Sequence, residues 1–448
     1  MSVMRPVFAL VAGLLLLGLG ACSGTASRGD VMDAGGLRER AAQRDAWLIE
    51  RLDQIVPELM RDADIDCWLL IAREDNEDPV LETMLPATWM GARRRTILAF
   101  FDPGDGAQVE RLAVARYAVG DAFPGAWDPE SQPDQYARLA ELVAERQPER
   151  IGINTSVTFA KADGLAASEH RALLSALGSW AERVVPAEAL AVGWLETRSE
   201  AELDAYPGLV AIAHDIIATG LSNAAITPGE TTTTDLEWWF REEIRARRLV
   251  TWFHPSVSVQ RGAQPEREGG FAEHPDVEVI GPGDLVHVDF GITALGLNTD
   301  TQQHAYVLRP GESGAPAGLE DGLAVGNRLQ DILTDAFVTG RTGNEILAAA
   351  LQRARDEGID ALIYTHPLGF HGHGAGPTIG MWDQQGGVPG TGDWPLRANT
   401  CYAIELGATV SVPEWGRSVD IMLEEDALFD GERVRYLDGR QTELHLIR

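Results

Sequence analysis

Residues 287–307, HVDFGITALGLNTDTQQHAYV, carry two aspartates, Asp289 and Asp300, eleven positions apart around a glycine-containing turn. Asp289 closes the apolar run LVHV, where the buried strand of a soluble protein normally keeps charges out. The second carboxylate returns on the following strand. A lone buried aspartate is usually a turn former or one half of an ion pair, yet residues 281–308 contain neither lysine nor arginine. Nothing close in the sequence neutralises these acids.

Acid and imidazole recur further along in apolar or glycine-rich settings. Glu405 lies inside YAIELGATVSV and Glu424 inside DIMLEEDALF, both strand-like. The loop FHGHGAG offers His371 and His373 among glycines that let a backbone come close to a ligand. The residues alone allow either imidazole as a ligand. His274, in AEHPD, shortly precedes the first aspartate. His366, in THPLGF, reads as a loop or supporting histidine. His287 shares a strand face with Asp289 and reads as a support for it, whereas His304 reads as outside the site.

If Asp289, Asp300, Glu405 and Glu424 converge, they place four negative charges in a low-dielectric pocket, and even one unpaired carboxylate there is costly. Two divalent cations would balance the set, with one neutral imidazole completing the shell. Oxygen-rich ligation with a single nitrogen suits Mn²⁺, Co²⁺, Fe²⁺ or Zn²⁺ and is wrong for a structural zinc site.

Taken in order, GDLVHVDFG, NTDTQ, GHGAG, YAIELG and LEEDALF resemble the metal-binding motifs of the metallopeptidase family that includes Xaa-Pro aminopeptidase, prolidase and methionine aminopeptidase. Each motif alone is weak, and five in order are specific. The resemblance implies an α+β protein with an N-terminal α/β creatinase-like domain followed by a pita-bread catalytic domain. It implies a dinuclear metal centre, Mn²⁺ first, held by Asp289, Asp300, His373, Glu405 and Glu424. It also implies peptide-bond hydrolysis in short peptides and a homodimer. Glu405 would carry the proton from water to the leaving amine, and His274 would hydrogen-bond the tetrahedral intermediate or leaving group. The family usually has a further histidine seven to nine residues after the ligand histidine. Counted from His373, that place is Gly380 to Trp382, with Trp382-Asp383 the nearest match, so His371 is expected to take part of that role. Met422 stands where the Xaa-Pro cleavers commonly carry arginine, which bears on proline selectivity. Two rival readings share the fold: a metal-free creatinase-like amidinohydrolase and a non-catalytic lipid-anchored binding protein.

The whole chain is compatible with this. Its 448 residues suit two domains, and its net charge of −31 argues against nucleic-acid binding, which needs a basic face. The opening MSVMRPVFALVAGLLLLGLGACSG has a basic n-region and an apolar h-region, and Leu19-Gly20-Ala21-Cys22 resembles the bacterial lipobox. The expected layout is a signal peptide over 1–21 and a tether over 22–36 beginning at an acylated Cys22. An α/β domain over 37–194 and the catalytic domain over 195–448 follow. Ser23 after the cysteine favours the outer membrane, facing the periplasm. Cys67 and Cys401 lie in apolar strand-like runs and read as core residues. Capping boxes at Ser199–Glu202, Thr234–Glu237 and Thr342–Glu345 place helix starts in the second domain.

Overall fold

A computed structural model describes residues 35–104, 106–262 and 277–448, all within one compact unit. The run CWLLIAR forms β1 (Cys67–Arg73), the centre of a sheet with β2 (Arg95–Phe101), β3 (Glu110–Val114), β4 (Ile151–Ile153) and β5 (Val184–Pro186). The order is β3-β2-β1-β4-β5, antiparallel on one side of β1 and parallel on the other. β1 is apolar on both faces because helices cover both. Trp68 and Leu70 face a core built with α1 (Leu37–Asp62) and α5 (Glu188–Glu196), beside the short α2 (Pro79–Thr83). Cys67, Leu69 and Ile71 face α3 (Gln135–Arg146) and α4 (Ala167–Leu177). That alternation is the two-residue period of a strand.

The second lobe begins with α6 (Glu200–Gly220) and α7 (Thr233–Ala246). Ser199 and Glu202 cap α6 reciprocally, Ser199 N donating to the carboxylate at 2.8 Å and Glu202 N to the hydroxyl at 3.3 Å. The α7 box is Thr232–Asp235 rather than the expected Thr234–Glu237. The TTTT run allows several starts, and the bridge between Thr232 and Val279 holds the chain extended up to Thr232.

Next come β6 (Ser256–Gln260), β7 (Leu285–Phe290), the hairpin β8 (Thr293–Ala294) and β9 (Leu297–Asn298), and β10 (Thr301–Val307). Helices α8 (Ala317–Thr334) and α9 (Gly343–Asp356) separate them from β11 (Asp360–Ile363) and β12 (His366–Leu368). The carboxy-terminal strands are β13 (Thr400–Ala403), β14 (Leu406–Val412), β15 (Arg417–Leu423), β16 (Asp426–Phe429), β17 (Val434–Tyr436) and β18 (His445–Ile447). They assemble as β18-β10-β7-β6, β11-β14-β15 and β12-β13-β16-β17. The stretches YAIELGATVSV and DIMLEEDALF, each expected as one strand, are broken at Ile404–Glu405 and Glu424–Glu425. At each break the chain leaves one sheet and enters the other.

Arg51 of α1 ties the lobes together. Buried, it donates to Glu202 at 2.7 Å and to the carbonyl of Thr197 at 2.6 Å, and its guanidinium lies over the Trp194 and Phe370 rings. Cys67 and Cys401 are buried and unpaired. Among the described residues no helix is long and apolar enough to cross a membrane. The expected signal segment, Cys22 and most of the tether lie outside them, as does His274.

Candidate metal centre

The four carboxylates are placed by backbone pairing. Antiparallel β7 and β10 set Asp289 opposite Gln302, one turn of ladder from Asp300. The excursion between them is closed by the β8–β9 hairpin, whose two central residues, Leu295 and Gly296, have φ of 55° and 81°, the left-handed pair of a type I′ turn. Asp300 is held by its own amide, which donates to the buried Asp426 carboxylate at 3.1 and 3.3 Å. Glu405 and Glu424 stand at the two strand breaks. There the amide of Ile404 donates to the Glu425 carbonyl and that of Gln302 to the Glu424 carbonyl, each at 3.0 Å. The acids therefore meet where three sheets abut.

The imidazole among them is that of His366, not the expected His373. His366 Nε2 lies 3.7 Å from Asp300 Oδ2, 3.6 Å from Glu424 Oε1 and 3.9 Å from Glu405 Oε2. Its Nδ1 faces the carbonyl of Pro367 at 3.2 Å, which places the proton there and leaves the Nε2 lone pair aimed at the acids. The FHGHGAG loop folds back over this strand. Gly374 N donates to the Pro367 carbonyl at 2.7 Å, and a Cβ on Gly372 would enter the Trp252 ring. His373 is thus set edge-on to His366, centroids 4.7 Å apart, and against Trp252 at 5.1 Å. His371 and His373 both line the adjoining interlobe cleft.

Counted from His366, the further histidine of the resemblance falls on His373, and Trp382, about two-fifths exposed, need not fill that place. The available signal was HPL itself, a histidine opening a short apolar strand with a second imidazole seven residues on.

Burial raises the carboxyls of Asp289, Asp300 and Glu405 well above the usual range, and their mutual repulsion adds to it. Glu424 is pushed up to about 8, again chiefly by burial. Burial also pushes His366, His371 and His373 down to about 4, so all three imidazoles are neutral at pH 7. Among the described residues His366 Nε2, Glu424 Oε1 and Asp289 Oδ1 are buried without a hydrogen-bond partner. Ligand atoms of Asp300, His366 and Glu424 all lie within 4.8 Å of one another. Donors about 2.0–2.2 Å from one ion span such distances. The donor set therefore fits divalent cations, which would satisfy the orphaned atoms and cancel the repulsion.

Gln302 was not singled out in the sequence, although it sits two residues after Asp300 on a wholly buried strand. Its Nε2 donates to Glu405 Oε1 and Glu424 Oε2, both at 2.8 Å, and its Oε1 faces His287 Nε2 at 2.9 Å. His287 thus supports the site through Gln302. The next acid, Glu425, turns away to His214 at 2.9 Å. Gln302→Leu keeps every carboxylate but removes the clamp between two of them. Divalent-metal affinity should fall about 10–100-fold, read by competition with a chromogenic chelator; unchanged affinity would show that the clamp does not orient the site.

Residues 209–429 match the model of metallopeptidase family M24. No curated protein matches the sequence. Among solved structures the chain is similar to an X-Pro aminopeptidase from Thermotoga maritima MSB8, with 16% identity over 87% of this chain and 99% of that one and a TM-score of 0.61. It is also similar to a Xaa-Pro dipeptidase from Bacillus anthracis, 17% identical over 92% and 100%, with a TM-score of 0.55. A dipeptidase from Pyrococcus horikoshii OT3 is 19% identical over 89% and 100%, with a TM-score of 0.57. At these identities the likeness is one of fold.

Proposed function

We propose that the chain is a dinuclear-metal-dependent hydrolase of peptide bonds in short peptides, a reading supported by the match of residues 209–429 to the model of metallopeptidase family M24. The proposed activity is of the Xaa-Pro aminopeptidase or prolidase type, performed by a homodimer tethered through lipid on Cys22 to the periplasmic face of the outer membrane. The observation that carries the activity is the meeting of one neutral imidazole with four carboxylates, where among the described residues His366 Nε2, Glu424 Oε1 and Asp289 Oδ1 are buried without a hydrogen-bond partner. Asp289, Asp300, His366, Glu405 and Glu424 would hold the cations, Mn²⁺ first. Bound there, the metals supply Lewis acidity toward a carbonyl and toward water.

The chain's own groups do the rest. Glu405, anchored at Oε1 by Gln302, carries a proton from the attacking water to the leaving amine through Oε2. His373, neutral and fixed between His366 and Trp252, donates a hydrogen bond to the carbonyl oxygen as charge develops on it. His371 borders the substrate on the cleft side, and the role proposed for His274 is a hydrogen bond to the tetrahedral intermediate or the leaving group.

The test is metal analysis combined with cleavage of dipeptides and tripeptides, with and without proline, before and after chelation. Hydrolysis lost on chelation and restored by Mn²⁺ is expected. Turnover that survives verified metal removal would point to the amidinohydrolase reading. A metal-replete protein that cleaves none of the panel would point to a binding protein.

A further inference from the structure

Among 37 basic residues the chain has one lysine, Lys161. It does not lie on the outer surface, where lysine usually serves solubility. It lies in the short turn Ala160–Ala162 of the first lobe and lines the cleft between the lobes, opposite Trp252, Phe370, His371 and His373. The cleft measures about 580 Å³, a volume suited to a small ligand. His373, part of its lining, packs edge-on against His366 of the carboxylate cluster.

The cations of this cleft differ in what they are free to do. Arg51 is buried and committed to Glu202 and two carbonyls. Arg44 is exposed at the rim. Lys161 is half-buried, and among the described residues no carboxylate, carbonyl or ring engages its ammonium group. Glu82, the other acid of the lining besides Glu202, is exposed and makes no ion pair with it. Burial lowers the Lys161 pKa, the direction expected of an ammonium partly stripped of water with no counter-charge supplied. Its charge reaches the three imidazoles: it is among the influences that lower His366, His371 and His373. In a chain of net charge −31, an unpaired cation facing the candidate reaction centre is a local reversal of sign.

We propose that Lys161 receives the free α-carboxylate of a short peptide whose scissile bond lies at the carboxylate cluster, so that the cleft selects substrates that end within it. The proposal deepens the peptidase reading and rests on it. Lys161 is a specificity residue contributed by the first lobe. Its ammonium, with three donors and a flexible stem, can meet carboxylates at somewhat different depths.

The experiment compares Ala-Pro and Ala-Ala, each as free acid and as C-terminal amide, on the metal-loaded full chain, its Lys161→Met variant and its Lys161→Arg variant. Wild type should favour the acids about 10–100-fold in kcat/KM, mostly through KM, the range of a charge-assisted hydrogen bond. Lys161→Met should bring that ratio close to one with bound metal unchanged, and Lys161→Arg should retain much of it. Equal use of acid and amide by wild type, or an equal loss on both in Lys161→Met, would overturn the proposal.

A second measurement needs no turnover. Reductive ¹³C-methylation labels one ε-amine, identified by the missing signal in Lys161→Met. L-Proline and L-alanine should shift that resonance, and their amides should not. If the metal-loaded protein cleaves no peptide, the peptidase reading fails by itself. The resonance then decides the carboxylate site alone, and a resonance unmoved by the amino acids sinks it.

Discussion

His366→Ala should lose metal and hydrolysis together. Among the described residues it is the imidazole at the carboxylate cluster, and its Nε2 lies within 4 Å of three of the four carboxylates. Without it, Asp300 and Glu424 face a gap where a neutral donor stood, and the site keeps its charge but loses a ligand. Metal affinity should fall by at least ~100-fold, more than for loss of a group that only orients a ligand. kcat/KM should fall by about 10³ or more. His373→Ala is the informative contrast, since that ring touches His366 without entering the carboxylate cluster. It should retain its metal and lose about 10²–10³ in kcat, the usual cost of removing one hydrogen-bond donor to a developing oxyanion. Bound metal and kinetics measured on the same preparations separate the two. Exchanged phenotypes would return the ligand role to His373.

Chelation should destabilise the protein, and more so as the pH rises. Without cations Glu424 titrates near 8 in the folded state, and burial and mutual repulsion raise Asp289, Asp300 and Glu405 well above the usual carboxylate range. In the unfolded chain these groups release their protons near pH 4. The folded, metal-free state therefore binds more protons than the unfolded one between these limits. Its stability is full below pH ~4 and is lost as the pH climbs through the folded values. The metal-loaded protein has the opposite slope over this window, because the cations need the ionised acids. The gap in Tm between loaded and chelated samples should widen from under about 2 °C at pH 5 to about 5 °C or more at pH 8, at roughly 1 °C per kcal/mol for a chain of this size. A gap that stays constant, in samples verified metal-free, would mean that these carboxylates do not share one pocket.

Much of this protein was legible in its sequence. The continuous apolar run of CWLLIAR, the reciprocal boxes at Ser199 and Thr342 and the carboxylates set inside apolar runs are local patterns, and local patterns survive in one dimension. So does the logic that several buried acids without basic neighbours need cations. The choice of imidazole was different. His366, His371 and His373 lie within eight residues of one another in a glycine-rich stretch, and composition cannot say which ring turns inward. That was decided by long-range contacts: β12 pairing with β13 fixed His366 at the sheet junction, and the loop folding onto the Pro367 carbonyl and Trp252 carried His373 past it. The clamp of Gln302 on Glu405 and Glu424 spans more than a hundred residues, and Lys161 meets the catalytic lobe only because Arg51 and α1 hold the lobes face to face. Hydrophobic period and charge are properties of a segment. The direction in which a side chain points into a shared pocket depends on which distant backbone it packs against, and that is settled only when the sheets close.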